Sequence, residues 1–275
     1  TMRFLNALFN FAKHEYRGLN DVYIFGENPV DIIKHLRMSH KIERKQTRLH
    51  EDELEQWFNT VEQTRINAVN QHEEFTASVC DALAMALLTG LRRSEVLELT
   101  WDRVNLKRQS FFIDQTKNGL PLELPTTDYI QTMLCRRSNT RTNSAFVFSA
   151  PNKYGYIKEP KKIVNKLELE SGTLFGFHDL RRTFSSTAER INVGTYTLKR
   201  LTNHKSNRND VTEGYVIQTA EELREPAQLI ADKILEQAGI KEPANKIDAQ
   251  IGDLLSNLDD KSKQKLLLQL SGQQD

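Results

Sequence analysis

The 275-residue sequence predicts a mainly α-helical domain with one small antiparallel β-sheet, an α+β arrangement. Three observations carry this. Apolar residues recur at helical period before residue 100 and again after residue 128. Between them, VNLKRQSFFIDQTKNGLPLELPTT reads at strand period around Asn118–Gly119, a hairpin turn signal. Further on, a short apolar run, AFVFSA, reads as a buried strand.

Taken in order, residues 2–17 form a helix that Gly18 ends, and Asn28–Pro29 marks a turn. Residues 37–50 are basic and polar and read as a linker. One helix and a linker bury no core of their own, so the chain is expected to begin partway through a domain, with upstream sequence missing before Thr1 and Met2. A helix over 51–65 follows, then a polar break at 67–74 and a strongly apolar helix over 75–89 that Gly90 caps. Thr89 or Ser94 is the expected cap of a second short helix with Val96, Leu97 and Leu99 inward. Strands are expected near 104–106, 109–114 and 120–124, with Lys117 at the hairpin turn. Helices follow over 128–138, 160–171, 177–190, 195–202 and 208–219. Beyond them, amphipathic helices near 222–238, 247–257 and 260–270 carry leucines between 254 and 270 that need a surface, on the parent domain or a neighbouring subunit. The expected organisation is an incoming helix and linker over 1–46, a main domain over 47–220 and a C-terminal helical extension over 221–275.

With 27% charged and 38% hydrophobic residues, the chain reads as a soluble globular protein with a sizeable core. No apolar run approaches the length of a membrane span, and no signal peptide is evident. Two cysteines, Cys80 and Cys135, exclude a disulfide framework and a four-cysteine zinc site and suit a reducing cytosol. Cys80, in the apolar helix, and Trp101 read as core residues. The net charge of +1 hides a polarity: residues 221–275 hold eleven acidic and seven basic side chains, a net of −4, which leaves +5 on residues 1–220. Seven Arg and Lys against three Asp and Glu lie between His178 and Asp210, a basic patch that permits a polyanionic partner.

That patch surrounds the most informative stretch, 177–215. His178 and Arg181 are three apart on a helix and share a side. His204 and Tyr215 follow. Zinc would favour added cysteine or carboxylate ligands. Cationic donors to steady an anion, with a hydroxyl to attack it, suit phosphate chemistry. Each residue alone has a plainer reading, a hydrogen-bonded helix histidine or a packing tyrosine.

The wider pattern supplies the rest. TGLRRSEVLELTW at 89–101 resembles the first arginine box of the tyrosine recombinases, the phage integrase family, and implies an active-site arginine at Arg92 with Glu95 as the acid supporting the fold around it. QTKNGLPLELP at 115–125 resembles the family's hairpin with its catalytic lysine, here Lys117. FHDLRRTFSS at 177–186 resembles the second box, with His178 and Arg181, and LTNHKS at 201–206 the third, with His204. VTEGY at 211–215 ends in the implied nucleophile, Tyr215. All six positions occur in family order, and the resemblance covers roughly 48–220. Two features depart from the pattern: Asn203 stands where glycine is common before the third-box histidine, and the gap of eleven from His204 to Tyr215 is long.

The resemblance implies the family's catalytic-domain fold and a site-specific DNA recombinase that integrates or excises a mobile element through a 3′-phosphotyrosyl intermediate. It implies duplex attachment sites as substrate, a homotetramer on paired sites formed from monomers, DNA-bending accessory proteins, and a bacterial cytoplasmic setting with no membrane. No metal or nucleotide is called for, since arginine charge serves where two-metal nucleases use Mg²⁺ and the covalent link conserves the bond energy. Arg93, Arg182, Lys199, Arg200, Lys205 and Arg208 are candidate DNA-phosphate contacts, each with an equally plain reading as surface charge. The rival functions are a type IB topoisomerase-like relaxing enzyme, a non-catalytic DNA-binding regulator of excision, and a metal-dependent nuclease, against which the lack of a carboxylate cluster argues.

Overall fold

The computed structural model of the chain describes residues 2–36, 38, 47–114, 121–141, 143–204 and 219–242. It divides into two compact units, Thr1–Gln46 and Thr47–Asp275. In the first, helix α1 (Met2–Glu15) buries none of its residues, and Phe4, Leu8 and Phe11 are exposed. Asn28 ties the following turn to α1 through Nδ2 bonds to Asn6 Oδ1 (3.0 Å) and Asn10 Oδ1 (2.9 Å). A 3-10 turn (Leu19–Asp21) and a short helix α2 (Asp31–His35) complete the unit; neither is expected from the sequence pattern.

The second unit is built around one helix. Helix α4 (Glu74–Thr89) is buried continuously from Thr76 to Leu88, because FTASVCDALAMALL is apolar or small on every side. Helices α3 (Glu51–Asn70), α5 (Arg93–Leu97), α6 (Asp128–Asn139), α8 (Phe177–Arg190) and α10 (Ala220–Gln237) all pack on it, and α7 (Lys161–Ser171) packs on α3. Cys80 is fully buried on α4, and desolvation pushes its thiol up to about 12, so it behaves as a small inert hydrophobe. The charged exception on α4 is Asp81. A carboxylate so deeply buried needs partners. Arg136 Nη2 (2.6 Å) and Arg137 Nη1 (2.9 Å) supply them, and Arg137 also donates to Ser78 Oγ and the Val147 carbonyl.

Three strands form an antiparallel sheet in the order β1 (Val104–Asn105), β2 (Ser110–Ile113), β3 (Leu122–Pro125). The register pairs Phe111 with Leu124 and Ile113 with Leu122, all four buried, while Phe112 faces solvent, as strand alternation requires. The hairpin turn with Lys117, Asn118 and Gly119 lies outside the described residues.

Some expectations need correction. The AFVFSA run is not a strand: Thr100 and Phe146, then Ser149 and Tyr156, form isolated bridges. Val147 and Phe148 are buried there, but the partners leave after one residue and no ladder propagates. Helix α3 runs to Asn70 rather than residue 65, because Thr64, Arg65 and Ala68 continue the buried stripe of Leu54, Trp57, Phe58 and Val61. The cap of α5 is Arg92, not Thr89 or Ser94.

Helix α10 begins with a capping box in which Thr219 N donates to Glu222 Oε2 (2.7 Å) and Glu222 N donates to Thr219 Oγ1 (3.3 Å). Leu223, Ile230, Ala231 and Ile234 are fully buried against β3, α8, α4, α3 and α9 (Thr195–Leu201). The first helix of the acidic extension therefore packs on its own chain. The helices expected near 247–257 and 260–270, and the one at 208–219, lie outside the described residues. Among the described residues no helix is long and apolar enough to cross a membrane.

The crossing of α4 and α8 depends on Gly90. It has φ +64, and an added Cβ would stand 2.4 Å from Phe184 Cδ1. Gly90→Ala is therefore expected to lose about 2–4 kcal/mol, from left-handed strain and forced repacking together. Urea titration measures it, and an unchanged midpoint would contradict the close approach.

Candidate active site

Arg92 leaves α4 two residues past the Gly90 cap, with Leu91 fully buried between them. Its own backbone N–H donates to Glu95 Oε2 (2.8 Å), the acidic half of a capping box at the start of α5. Its guanidinium Nη1 donates to Glu95 Oε1 (2.8 Å) and to the Asn203 carbonyl (2.8 Å). Glu95 is 6% exposed and Arg92 is half-buried, so the carboxylate lies beneath the guanidinium. Asn203 closes the arrangement by donating Nδ2 to Glu95 Oε1 (3.0 Å).

Arg181 comes from α8. That helix buries Leu180, Phe184, Thr187 and Ala188 against the core and carries Arg181 inward beside them. Arg181 is 8% exposed, and its Nη1 donates to the Gly90 carbonyl (2.9 Å), so the residue that lets the helices meet also accepts from the arginine. Burial, then the nearby positive charge of Arg92, push Arg181 down to about 10, with Glu95 opposing them. It remains cationic at neutral pH. A pair of guanidinium groups held close enough to disfavour each other's charge is an anion receptor, because a negative group beside them removes the repulsion.

His178 lies one turn before Arg181 and is exposed. Partial desolvation of its ring, then the charges of Arg182 and Arg181, lower its pKa below 6.5, against a smaller opposing effect of Asp179. Its imidazole is thus mostly neutral at pH 7 and able to accept a proton.

His204 follows the end of α9. His204 N bonds the Lys199 carbonyl (2.9 Å) and Asn203 N the Arg200 carbonyl (3.1 Å), a Schellman termination with Asn203 at φ 49. The glycine expected there is replaced by the residue that best tolerates a left-handed conformation after it. The sequence signals this substitution, but not the reach of its side chain to Glu95.

The structure thus brings Arg92, Glu95 and Arg181 together and joins the His204 segment to them through Asn203. Lys117, Tyr215, Lys205 and Arg208 lie outside the described residues. Arg93 and Arg182 are held by protein acceptors outside the Arg92–Glu95–Arg181 group, although the charge of Arg182 reaches His178. Arg93 donates to the Lys158 carbonyl, and Arg182 Nη1 donates to Asp179 Oδ1 (3.0 Å) and the Thr47 carbonyl (3.1 Å). Lys199 stands 5.2 Å from the Tyr196 ring centroid, and Arg200 is half-buried. Among the described residues no three His, Cys, Asp or Glu side chains gather as a metal-ligand group.

Comparison with known proteins identifies the family and the fold. Residues 47–221 match the Phage integrase family, nearly two thirds of the chain. Prophage integrase IntF of Escherichia coli K12 is 28% identical over 197 residues, 70% of this chain and 40% of that protein. A shufflon-specific DNA recombinase of Escherichia coli is 24% identical over 177 residues, 64% of this chain and 39% of that protein. The chain thus spans about two fifths of the length of these curated relatives. Among solved structures, the Tn1549 transposon integrase in complex with circular intermediate DNA superposes with a TM-score of 0.54 at 16% identity, covering 80% of this chain and 75% of that one. The XerH site-specific recombinase bound to difH superposes at 0.54 and 17% identity, covering 72% and 56%. Those likenesses establish the mainly helical fold with its small antiparallel sheet. With the family match over most of its second unit, the chain belongs to the phage integrase family of tyrosine recombinases and carries that family's catalytic domain.

Proposed function

We propose that the chain is the catalytic part of a site-specific DNA recombinase that integrates or excises a mobile element through a 3′-phosphotyrosyl intermediate. The observation that carries this is the convergence of Arg92 and Arg181. Each is held by protein acceptors of its own, Glu95 and the Asn203 carbonyl for one and the Gly90 carbonyl for the other. Donors fixed before the reaction stabilise charge that develops in the transition state without reorganising. A scissile phosphate suits them, since attack adds negative charge to its non-bridging oxygens and guanidinium forks match that geometry.

In this reading the Tyr215 hydroxyl oxygen forms a bond to phosphorus as the bond to the 5′ oxygen breaks. The phenolic proton passes to His178, whose neutral ring is suited to take it, and Lys117 gives a proton to the departing 5′ oxygen. His204 adds a donor to the phosphate. The products are a 3′-phosphotyrosyl link and a free 5′-hydroxyl, and attack by a 5′-hydroxyl from another strand reverses the step. Exchange between two duplexes brings four copies of the chain together, with DNA-bending proteins as accessory partners. Arg93, Arg182, Lys199, Arg200, Lys205 and Arg208 are assigned to backbone-phosphate contacts around that site.

Covalent capture tests this without a defined attachment site. A library of nicked duplexes with a randomised centre is incubated with the chain, and covalently captured DNA reveals the cleaved sequence. Tyr215→Phe is expected to bind the captured sequence and form no adduct; adduct at wild-type yield would move the nucleophile elsewhere. Joining of two captured duplexes separates recombination from simple relaxation of supercoiled DNA.

Lys117→Ala is expected to slow cleavage about a hundred-fold on ordinary DNA. A 5′-bridging phosphorothiolate, with its better leaving group, should restore the rate. An equal defect on both substrates would remove Lys117 as the acid.

The pH dependence follows from His178. A base with a lowered pKa stays neutral until the pH falls below the ordinary histidine range. Single-turnover cleavage should therefore hold steady near neutrality and decline only as the solution becomes distinctly acid, and His178→Gln should abolish that acid limb. A wild-type decline centred above pH ~7 would contradict the assignment.

A further inference from the structure

We propose that Asn203 is a positioning residue for Arg92, acting through the Glu95 carboxylate, and that its side chain performs in this chain a task that glycine at the same place does not perform. The proposal rests on the recombinase reading for its catalytic consequence, but the contact itself stands on geometry.

Asn203 is 7% exposed and uses both of its polar faces on one partner pair. Its backbone carbonyl accepts from Arg92 Nη1 at 2.8 Å, and its carboxamide Nδ2 donates to Glu95 Oε1 at 3.0 Å. Glu95 Oε1 accepts from Arg92 Nη1 as well, so guanidinium, carboxylate and asparagine form a closed ring of three hydrogen bonds. Glu95 Oε2 is taken by the Arg92 backbone N–H. A glycine supplies the carbonyl but not the amide. Glu95 Oε1 would then have lost a donor in a site where a buried carboxylate is costly to leave short of partners. The carboxylate would also be free to turn about its last torsion, and the Arg92 guanidinium that leans on it would turn with it. Because His204 is the next residue, the ring that sets Arg92 also sets the point from which the third-box segment departs.

The ring is possible because of backbone conformation. Asn203 sits at φ 49, two residues past the end of α9, and its N–H and that of His204 make the Schellman bonds. Glycine and asparagine both adopt that conformation readily, whereas a β-branched or larger aliphatic residue would be strained there. The position thus restricts the choice to residues that turn the chain, and asparagine is the one that also reaches Glu95.

Two variants separate the side chain from the turn. Asn203→Gly keeps the left-handed turn and the carbonyl and removes the amide. On the nicked duplex obtained by covalent capture, its single-turnover cleavage rate is expected to fall about ten-fold or more while its dissociation constant changes by less than about two-fold. Asn203→Asp places a second carboxyl against Glu95, which accepts where the amide donated until the pair takes up a proton, with Arg92 opposing that uptake. The charged and titratable groups near that position are Glu95 and Arg92, which bond Asn203, Arg181 of α8 beside them, and Lys199, Arg200 and His204 along the same segment of chain. Taking the ratio of variant to wild type cancels the titration of groups common to both. That ratio of cleavage rates should rise as the pH is lowered from about 8 to about 6, because the shared proton restores a donor to the carboxylate. The sign for stability is the same. The shared proton has a folded pKa above its unfolded value, so the melting temperature of Asn203→Asp relative to wild type should fall as the pH rises through that window.

Wild-type cleavage by Asn203→Gly would overturn the proposal. So would a parallel loss of DNA affinity and melting temperature with no separate loss of rate, which is the mark of a merely structural residue. A rate ratio for Asn203→Asp that does not depend on pH would also overturn it. No adduct from the wild-type chain would instead overturn the recombinase reading, and the melting comparison would still read the contact: a pH-independent difference there would refute it.

Discussion

The Glu95 carboxylate is the group on which the site depends. It is a buried charge, and a buried charge without partners would cost the fold several kcal/mol or be lost to protonation. Its three donors are the Arg92 backbone N–H, the Arg92 guanidinium and the Asn203 amide. Two of these belong to Arg92, to which the proposed function assigns phosphate binding, and the third belongs to the turn that leads to His204. Satisfying one anion therefore fixes the first arginine and the third-box segment together. The same carboxylate opposes the effect of Arg92 on Arg181, so it also makes two close guanidinium groups tolerable.

Bringing Arg181 into that arrangement is a packing problem, and α4 solves it. A helix that is small or apolar on every side is surrounded by neighbours. Its C-terminus must then open into the site without a side chain that would hold α8 away. Gly90 meets the need three times over: it takes the left-handed conformation that ends α4, it leaves room for Phe184, and its carbonyl accepts from Arg181. Leu91 is buried next to it, so the step from α4 to Arg92 is anchored on both sides. Helix α8 is held by further contacts along the same first turns. Asp179 accepts from Thr47 Oγ1 (2.6 Å), and Thr183 Oγ1 accepts from Leu49 N (2.9 Å), which fastens the start of the second unit to the helix bearing His178 and Arg181.

Much of this was legible in the sequence where local pattern decides structure. The bounds of α8, the apolar α4 with its glycine cap and the three strands followed from periodicity and turn residues, and the family boxes named Arg92, Glu95, His178, Arg181 and His204 as candidates, of which Arg92, Glu95 and Arg181 lie together. The α5 cap was misread locally, since the Arg92–Glu95 capping box decides it, but the other misreadings turn on packing and long-range partners. AFVFSA has the composition of a strand, but whether it pairs depends on how far Thr100 and Tyr156 run beside it. The last turn of α3 looks polar in sequence, yet Ala68 finds the core. Asn203 reads as a departure from a glycine when taken by itself. Its contact with Glu95 spans more than a hundred residues, and no local pattern encodes that. The acidic extension carried the same ambiguity. The pattern left its apolar face to the parent domain or a neighbouring subunit and could not say that α10 buries Leu223, Ile230 and Ile234 in its own chain.

The energetic character of the site follows from these constraints. Two guanidinium groups are kept near one another, one of them almost wholly buried, and each loses some of the solvation that would stabilise its charge in water. That is an unfavourable element of the folded state, held in place by the α4–α8 packing and by the Glu95 ring rather than by any gain of its own. In the proposed reaction an incoming phosphate reverses the balance, since it adds negative charge beside both arginines where Glu95 alone now faces Arg92. The repulsion that depresses Arg181 is relieved in proportion to the charge that arrives. Because that charge is greatest on the non-bridging oxygens as the attacking and leaving oxygens exchange, the relief is greater at the transition state than in the bound ground state, which is the condition for faster chemistry rather than tighter binding alone. For the proposed reaction, a clamp made from a helix cap, a glycine carbonyl and an asparagine turn is a source of preorganisation, since its arginines are already held by protein acceptors.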